Sequence, residues 1–294
     1  DENRDIILKY MSEEDINYII DRQIKPDQFM SFIENPEFNV KNTVFYSICK
    51  TTQNAEDDFI VNFVNRYRSN FTRDTLKDLL KHYSYDDLIS FYETESIVND
   101  KLTLVPNPEK QYVILNEKTS VYKYVPADLV SVETIYVQST MVEDLNDMIS
   151  AYNKVMETPL SFESGYLSYE DSMNLYLSYV ESLQENVNKF YLNAGMNEQQ
   201  LGYTITISGC SHYIQVWKDK QSEVEEPATL DDLELEKISW LEENAYRYGF
   251  VIRYPEGKED VTNHEYNPYI LRYVGKDNAK KMVKKNKALE EMNL

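Results

Sequence analysis

Two prolines in three residues, Pro106-Asn107-Pro108, divide this chain of 294 residues. Proline fixes its own φ and has no amide proton, so neither a helix nor a fully paired strand runs through this point. The patterns on its two sides differ in kind. Before it, apolar residues recur at helical spacing; after it, helical stretches alternate with short apolar runs. The division predicts a helical N-terminal domain over 1–104 and an α+β domain over 108–294.

Helix starts are legible in the first part. Ser12 followed by Glu13, Glu14 and Asp15 reads as an N-cap with acidic first-turn residues, ahead of Ile16, Ile19 and Ile20 on one face. Pro26-Asp27 opens a short helix with Phe29, Phe32 and Ile33, and Phe59, Phe63 and Val64 mark another. Thr72-Arg73-Asp74 opens one with Leu76, Leu79 and Leu80, and Tyr85-Asp86 one with Leu88, Phe91 and Tyr92. Residues 27–33 (DQFMSFI) and 86–92 (DDLISFY) match locally, which suggests a duplicated two-helix unit.

Beyond the prolines, Gln111–Leu115 reads as a strand, then come helices from about Val142 to Met156 and Tyr169 to Phe190. Strands are expected at Tyr203–Ile207 and Tyr213–Trp217, followed by an acidic loop from Glu223 to Asp232. A helix from about Leu233 to Tyr248 and strands at Phe250–Tyr254 and Ile270–Val274 complete the pattern.

Charge narrows the function classes. With 51 acidic against 30 basic residues the formal charge is −21, which argues against nucleic acid as a partner, because phosphate neutralisation needs an excess of Lys and Arg. It also disfavours general adhesion to anionic lipid. No run of about 18 apolar residues occurs. The first residue is Asp1, so a processed or excised chain is expected, with any membrane attachment through an anchor outside it. Cys49 and Cys210 fit no metal spacing; they are expected to be buried thiols, or a pair if the two halves pack together. Cys210 and His212 alternate as strand neighbours would, yet no third ligand accompanies them. His264 reads as a surface-loop residue.

Five ordered segments carry a resemblance. They are 124–130 (YVPADLV), 164–170 (SGYLSYE), 197–207 (NEQQLGYTITI), 240–250 (WLEENAYRYGF) and 267–275 (NPYILRYVG). Together they resemble the VanY-type D-alanyl-D-alanine carboxypeptidases, zinc enzymes that trim the stem peptide of bacterial peptidoglycan. The likeness covers roughly residues 108–285. It implies a hedgehog/DD-peptidase-like fold, a small antiparallel sheet with helices, preceded here by an all-α domain.

The departures fall at the chemistry. The resemblance implies His at Gln199, Asp at Thr206 and His at Ile270 as zinc ligands, Glu at Asn267 as general base, and Arg at Leu167 beside the substrate. A catalytic zinc needs about three N, O or S ligands and an open water position, which lowers the pKa of that water. Leu167, Gln199, Thr206, Asn267 and Ile270 are thus expected to be vestigial positions, with no catalytic residue, metal or cofactor remaining. Tyr166, Tyr203, Tyr266 and Tyr269 are candidate cleft-binding residues. The expected role is that of a non-catalytic pseudo-carboxypeptidase, extracytoplasmic in the bacterial cell envelope, binding a partner protein or a peptidoglycan peptide. The alternatives are a hydrolase of cell-wall peptides acting through a relocated site, and a structural surface-layer or spore-coat component.

Overall fold

The computed structural model describes residues 3–222 and 224–294, so Glu223, where the acidic loop was expected to begin, lies outside the described residues. The chain divides into two compact units, one of residues 1–101 with 105–107 and the other of 102–104 with 108–294.

The described elements of the first unit are helical: α1 (Arg4–Tyr10), α2 (Glu13–Asp21), α3 (Thr43–Thr52), α4 (Asp57–Tyr67), α5 (Arg73–His82), α6 (Tyr85–Ser90) and α7 (Ser96–Val98). Reciprocal capping boxes start three of them: Ser12 with Asp15, Thr72 with Thr75, and Ser84 with Asp87. Each satisfies two amides that the helix itself leaves open. Fully buried Ile60, Val61, Val64, Leu76 and Leu88 form the centre. The two similar segments take different backbones. Pro26–Gln28 is one 3₁₀ turn, whereas Tyr85–Ser90 is α-helical and runs into a π turn at Phe91–Glu95. What they share is burial: Phe29, Phe32 and Ile33 in one, Leu88, Phe91 and Tyr92 in the other.

The second unit is α+β. Two short ladders come first: parallel β1 (Thr103–Leu104) with β2 (Thr119–Ser120), and the hairpin β3 (Leu129–Val132) with β4 (Ile135–Gln138). The main sheet is antiparallel, ordered β5 (Phe162–Ser164), β6 (Thr204–Ile207), β8 (Asn267–Tyr273), β7 (Phe250–Tyr254). Every residue of β6 and β8 is buried, as expected for central strands covered on both faces. The helices of this unit are α8 (Val142–Asn153), α9 (Tyr169–Leu183), α10 (Cys210–Gln221), α11 (Asp232–Asn244), α12 (Glu259–Thr262) and α13 (Lys276–Lys285). Among the described residues, no helix is long and apolar enough to cross a membrane.

Two expected strands are absent, for identifiable reasons. Residues 111–115 form turns, because the carbonyls of Gln111 and Val113 accept bonds from Arg272 Nη2 at 2.6 and 3.0 Å instead of joining a ladder. Residues 213–217 lie in α10. Gly209, at φ +109°, turns the chain sharply after β6, and Glu163 Oε1 from β5 accepts the N–H groups of Gly209 (3.0 Å) and Ser211 (3.1 Å). A carboxylate there caps the helix and suits the positive end of its dipole.

A buried ion network ties the sheet to its surroundings. Glu198 takes Arg253 Nε at 2.8 Å and Nη2 at 2.9 Å, Arg272 Nη1 at 2.8 Å, and the Leu115 amide at 3.3 Å. Arg253 also holds Glu290 at 2.7 Å. Glu198, Arg253 and Arg272 are all at most 3 % exposed. Burial alone would raise the Glu198 carboxyl, but the two guanidinium groups win and hold it at about 2. The folded value lies below that of the unfolded chain, so the stabilisation is complete above about pH 4.3 and lost as pH falls toward 2. We expect Glu198→Gln to cost about 3 kcal/mol at neutral pH, by leaving two buried cations short of charge. Denaturant unfolding at pH 7 and pH 3 measures it, and the gap between variant and parent should shrink at the lower pH.

Candidate functional site

Three strands and one turn bring the resemblance positions together. Ser164 on β5 faces Thr206 on β6, which in turn faces Ile270 on β8. Gln199 sits on a 3₁₀ turn, Glu198–Leu201, started by Asn197, whose side chain accepts the Gln199 amide at 2.9 Å. From there Gln199 Nε2 donates to Ser164 Oγ (2.7 Å), Gly165 O (3.1 Å) and Thr206 Oγ1 (3.2 Å). Gly165 is required by close approach: a Cβ there would lie 2.5 Å from the Tyr136 carbonyl oxygen. Leu167, next in the same loop, binds Gln199 O through its amide at 3.4 Å.

The donor set does not fit zinc. Gln199, Thr206 and Ile270 supply an amide, a hydroxyl and an alkyl chain, and the Gln199 amide turns its N–H side toward Thr206. Among the described residues no group of three or more His, Cys, Asp or Glu side chains is placed to hold a metal ion. Asn267, at the position of the family's general base, is 1 % exposed and faces Cys210, its Nδ2 3.4 Å from the sulfur. Burial pushes the Cys210 thiol up to about 12, so it remains protonated. Both cysteines are buried free thiols.

An open groove of about 450 Å³ adjoins these positions, lined by Glu163, Ser164, Leu167, Leu175, Ser178, Tyr179, Tyr191, Thr206 and Ser211. Gln199 also borders a small cavity of about 20 Å³, the size of one water, together with Thr204, Tyr254, His264 and Ile270. His264 is thus not a surface-loop residue: it is 4 % exposed and its ring stacks on Tyr254 at 4.1 Å. Burial lowers its pKa, favouring neutral imidazole. His212, placed by α10 rather than by a strand, is exposed and pairs with Glu234 at 2.7 Å.

The candidate tyrosines separate. Tyr203 and Tyr269 are buried in the core, at 6 % and 0 % exposure, and do not line the groove. Tyr203 lies under the Arg272 guanidinium, 5.7 Å from ring centre to Cζ, and Tyr269 packs on Gly209. Tyr166 and Tyr266 are part-exposed, and Tyr266 donates to Glu242 at 2.5 Å. The tyrosines that do line the groove are Tyr179 and Tyr191, stacked with ring centres 4.8 Å apart. Their signal in the sequence was weak, because they come from α9 and the loop after it, outside every matched segment. Glu163 was missed for a similar reason: it precedes the matched segment by one residue.

The chain matches the VanY family, described as D-alanyl-D-alanine carboxypeptidase, over residues 134–276. It is 31 % identical over 204 residues to "Putative carboxypeptidase YodJ" of Bacillus subtilis (strain 168), covering 65 % of this chain and 70 % of that protein. The chain belongs to the VanY family. It is also 28 % identical over 158 residues to a D-alanyl-D-alanine carboxypeptidase of Enterococcus faecium, covering 53 % of this chain and 44 % of that one. Among solved structures, the LdcB LD-carboxypeptidase, described as revealing the basis of peptidoglycan recognition, is similar with a TM-score of 0.51. The identity is 31 %, over 65 % of this chain and 89 % of that one.

These relatives correct the expectation of a non-catalytic scaffold. They bear carboxypeptidase names at identities of 28–31 %, so the family points to an enzyme acting on peptidoglycan. The physical reason for the error is specific. Replacing ligands removes one way of activating water, but it does not close the groove or strip it of other ionisable groups. The register of Ser164, Thr206 and Ile270 leads to a direct test. We expect Gln199→His, Thr206→Asp and Ile270→His together to create a zinc site, with affinity rising steeply only when all three are present. Zinc titration by calorimetry checks this, and a folded triple variant that binds no better than the parent would show that these backbones do not converge on a metal.

Proposed function

We propose that the protein is a peptidoglycan hydrolase of the cell envelope, trimming stem peptides from the groove between β5, β6 and α9 without a zinc ion. The observation that carries this reading is Glu163, the only carboxylate on the lining of the groove among the described residues. Its Oε1 is committed to the two amides that begin α10. No bond to Oε2 is found among the described residues, which leaves that oxygen for a water molecule. Leu167 and Leu175 offer apolar contact to small side chains such as that of alanine.

The chemistry requires a base and an acid. Glu163 takes a proton from the attacking water as its oxygen adds to the scissile carbonyl carbon. The C–N bond then breaks and the departing amine takes a proton from a neighbouring donor. Tyr179 suits that second role: burial raises its pKa, with the Ser211 hydroxyl bond opposing, so the phenol stays protonated at neutral pH. Positioned general acid–base catalysis contributes about 10²- to 10⁴-fold, so turnover is expected to be slow beside that of a metallopeptidase.

The test is release of D-alanine from muropeptides ending in D-Ala-D-Ala or in a single D-Ala, using the full chain. Release should persist in the presence of a chelator and fall at least about a hundredfold in Glu163→Gln. That variant keeps an oxygen to cap α10, so its melting temperature should stay near the parent's. No release above the uncatalysed background would sink the proposal, as would release abolished by chelator and untouched by Glu163→Gln.

A further inference from the structure

The charge of this protein is unevenly placed. Residues 276–287 carry six lysines and one aspartate, a net of +5, so the remainder of the chain carries −26. All but two of these residues lie on α13, whose inner face buries Ala279 and Met282 against Val251, Val274 and Leu289. Lys280, Lys281, Lys284 and Lys285 point outward, are exposed, and form no ion pair among the described residues. Three acidic groups nearby are engaged elsewhere: Asp144 holds Lys276 at 2.6 Å, Glu290 holds Arg253, and Glu291 holds Lys258 at 3.0 Å. Asp277, Glu143 and Asp147 lie toward the Lys276 end of the helix. Cations near a helix C-terminus suit its dipole, which accounts for Lys284 and Lys285 but not for Lys280 and Lys281 a turn earlier.

We infer that the outer face of α13 is a docking surface for a linear phosphodiester polymer of the cell envelope. Lys280 and Lys284 stand four residues apart, about 6 Å along the axis, with Lys281 and Lys285 in a parallel row. An extended polyanion can lie along such a stripe while touching little else. A flat anionic membrane fits less well, because it would bring its charge within a Debye length, about 8 Å at physiological salt, of Asp277, Glu143 and Asp147 at the start of the helix. Lysine ammonium groups bind phosphates as point charges and need no preformed pocket.

The probe is poly(glycerol phosphate), titrated into the full chain at several salt concentrations, with vesicles of phosphatidylglycerol as the competing surface. Four phosphate contacts on a single-stranded polymer predict an affinity that falls about fiftyfold between about 50 and 200 mM salt. The variant K280Q/K281Q/K284Q/K285Q should lose that binding and its salt dependence while melting as the parent does. Should the fourfold variant not fold, K280Q/K284Q should halve the slope. Binding unchanged in either folded variant, no binding at low salt, or tighter association with the vesicles than with the polymer would each overturn the inference. The readout uses no peptide turnover, so it fails or succeeds independently of the hydrolase proposal.

Discussion

The site depends on a buried carboxylate. Glu198, buried between Arg253 of β7 and Arg272 of β8, sits immediately before Gln199. Its two arginines hold the turn that carries Gln199 against the sheet, and Arg272 reaches on to the carbonyls of Gln111 and Val113. Through Arg253 the same network recruits Glu290 near the end of the chain. Three buried charges are costly unless they are paired; Arg253 grips Glu198 through two nitrogens, whereas Arg272 bonds through its Nη atoms and leaves its buried Nε without a hydrogen-bond partner among the described residues. Remove the carboxylate and several segments distant in sequence lose a common anchor.

Around that anchor the positions that the resemblance singles out stay together. Ser164, Thr206 and Ile270 still stand side by side on three adjacent strands, and Gln199 still reaches across them. The amide links β5 to β6 by hydrogen bonds to Ser164 and Thr206. Asn267 has turned to the Cys210 thiol, a neutral contact in a site where a carboxylate would need a charged partner. The groove lies one step toward α9, and there the carboxylate is Glu163.

The legible parts of the fold were those governed by local rules. Ser12 and Thr72 start helices because each caps amides within three residues, as Ser84 does ahead of the start expected at Tyr85, and that logic needs no tertiary contact. The segments 111–115 and 213–217 were misread because four apolar residues and one glutamine make too short a run to fix its own conformation. Their outcome was set elsewhere: by Arg272, 157 or more residues downstream, and by Gly209 with Glu163 from a neighbouring strand.

By itself the sequence determined the family, through glycines, aromatic residues and apolar positions whose spacing only one frame accommodates. It also determined that Gln199, Thr206 and Ile270 are poor zinc ligands, because ligand chemistry belongs to the residue type. It could not determine whether the chain acts on peptide, since catalysis depends on which polar groups meet in a groove. Tertiary structure decided that Tyr203 and Tyr269 are core and that Tyr179, Tyr191 and Glu163 line the opening. The reason is geometric: burial and orientation arise from the packing of β5, β6, α9 and α10 upon one another, and no spacing along the chain encodes which face a helix will turn toward a sheet.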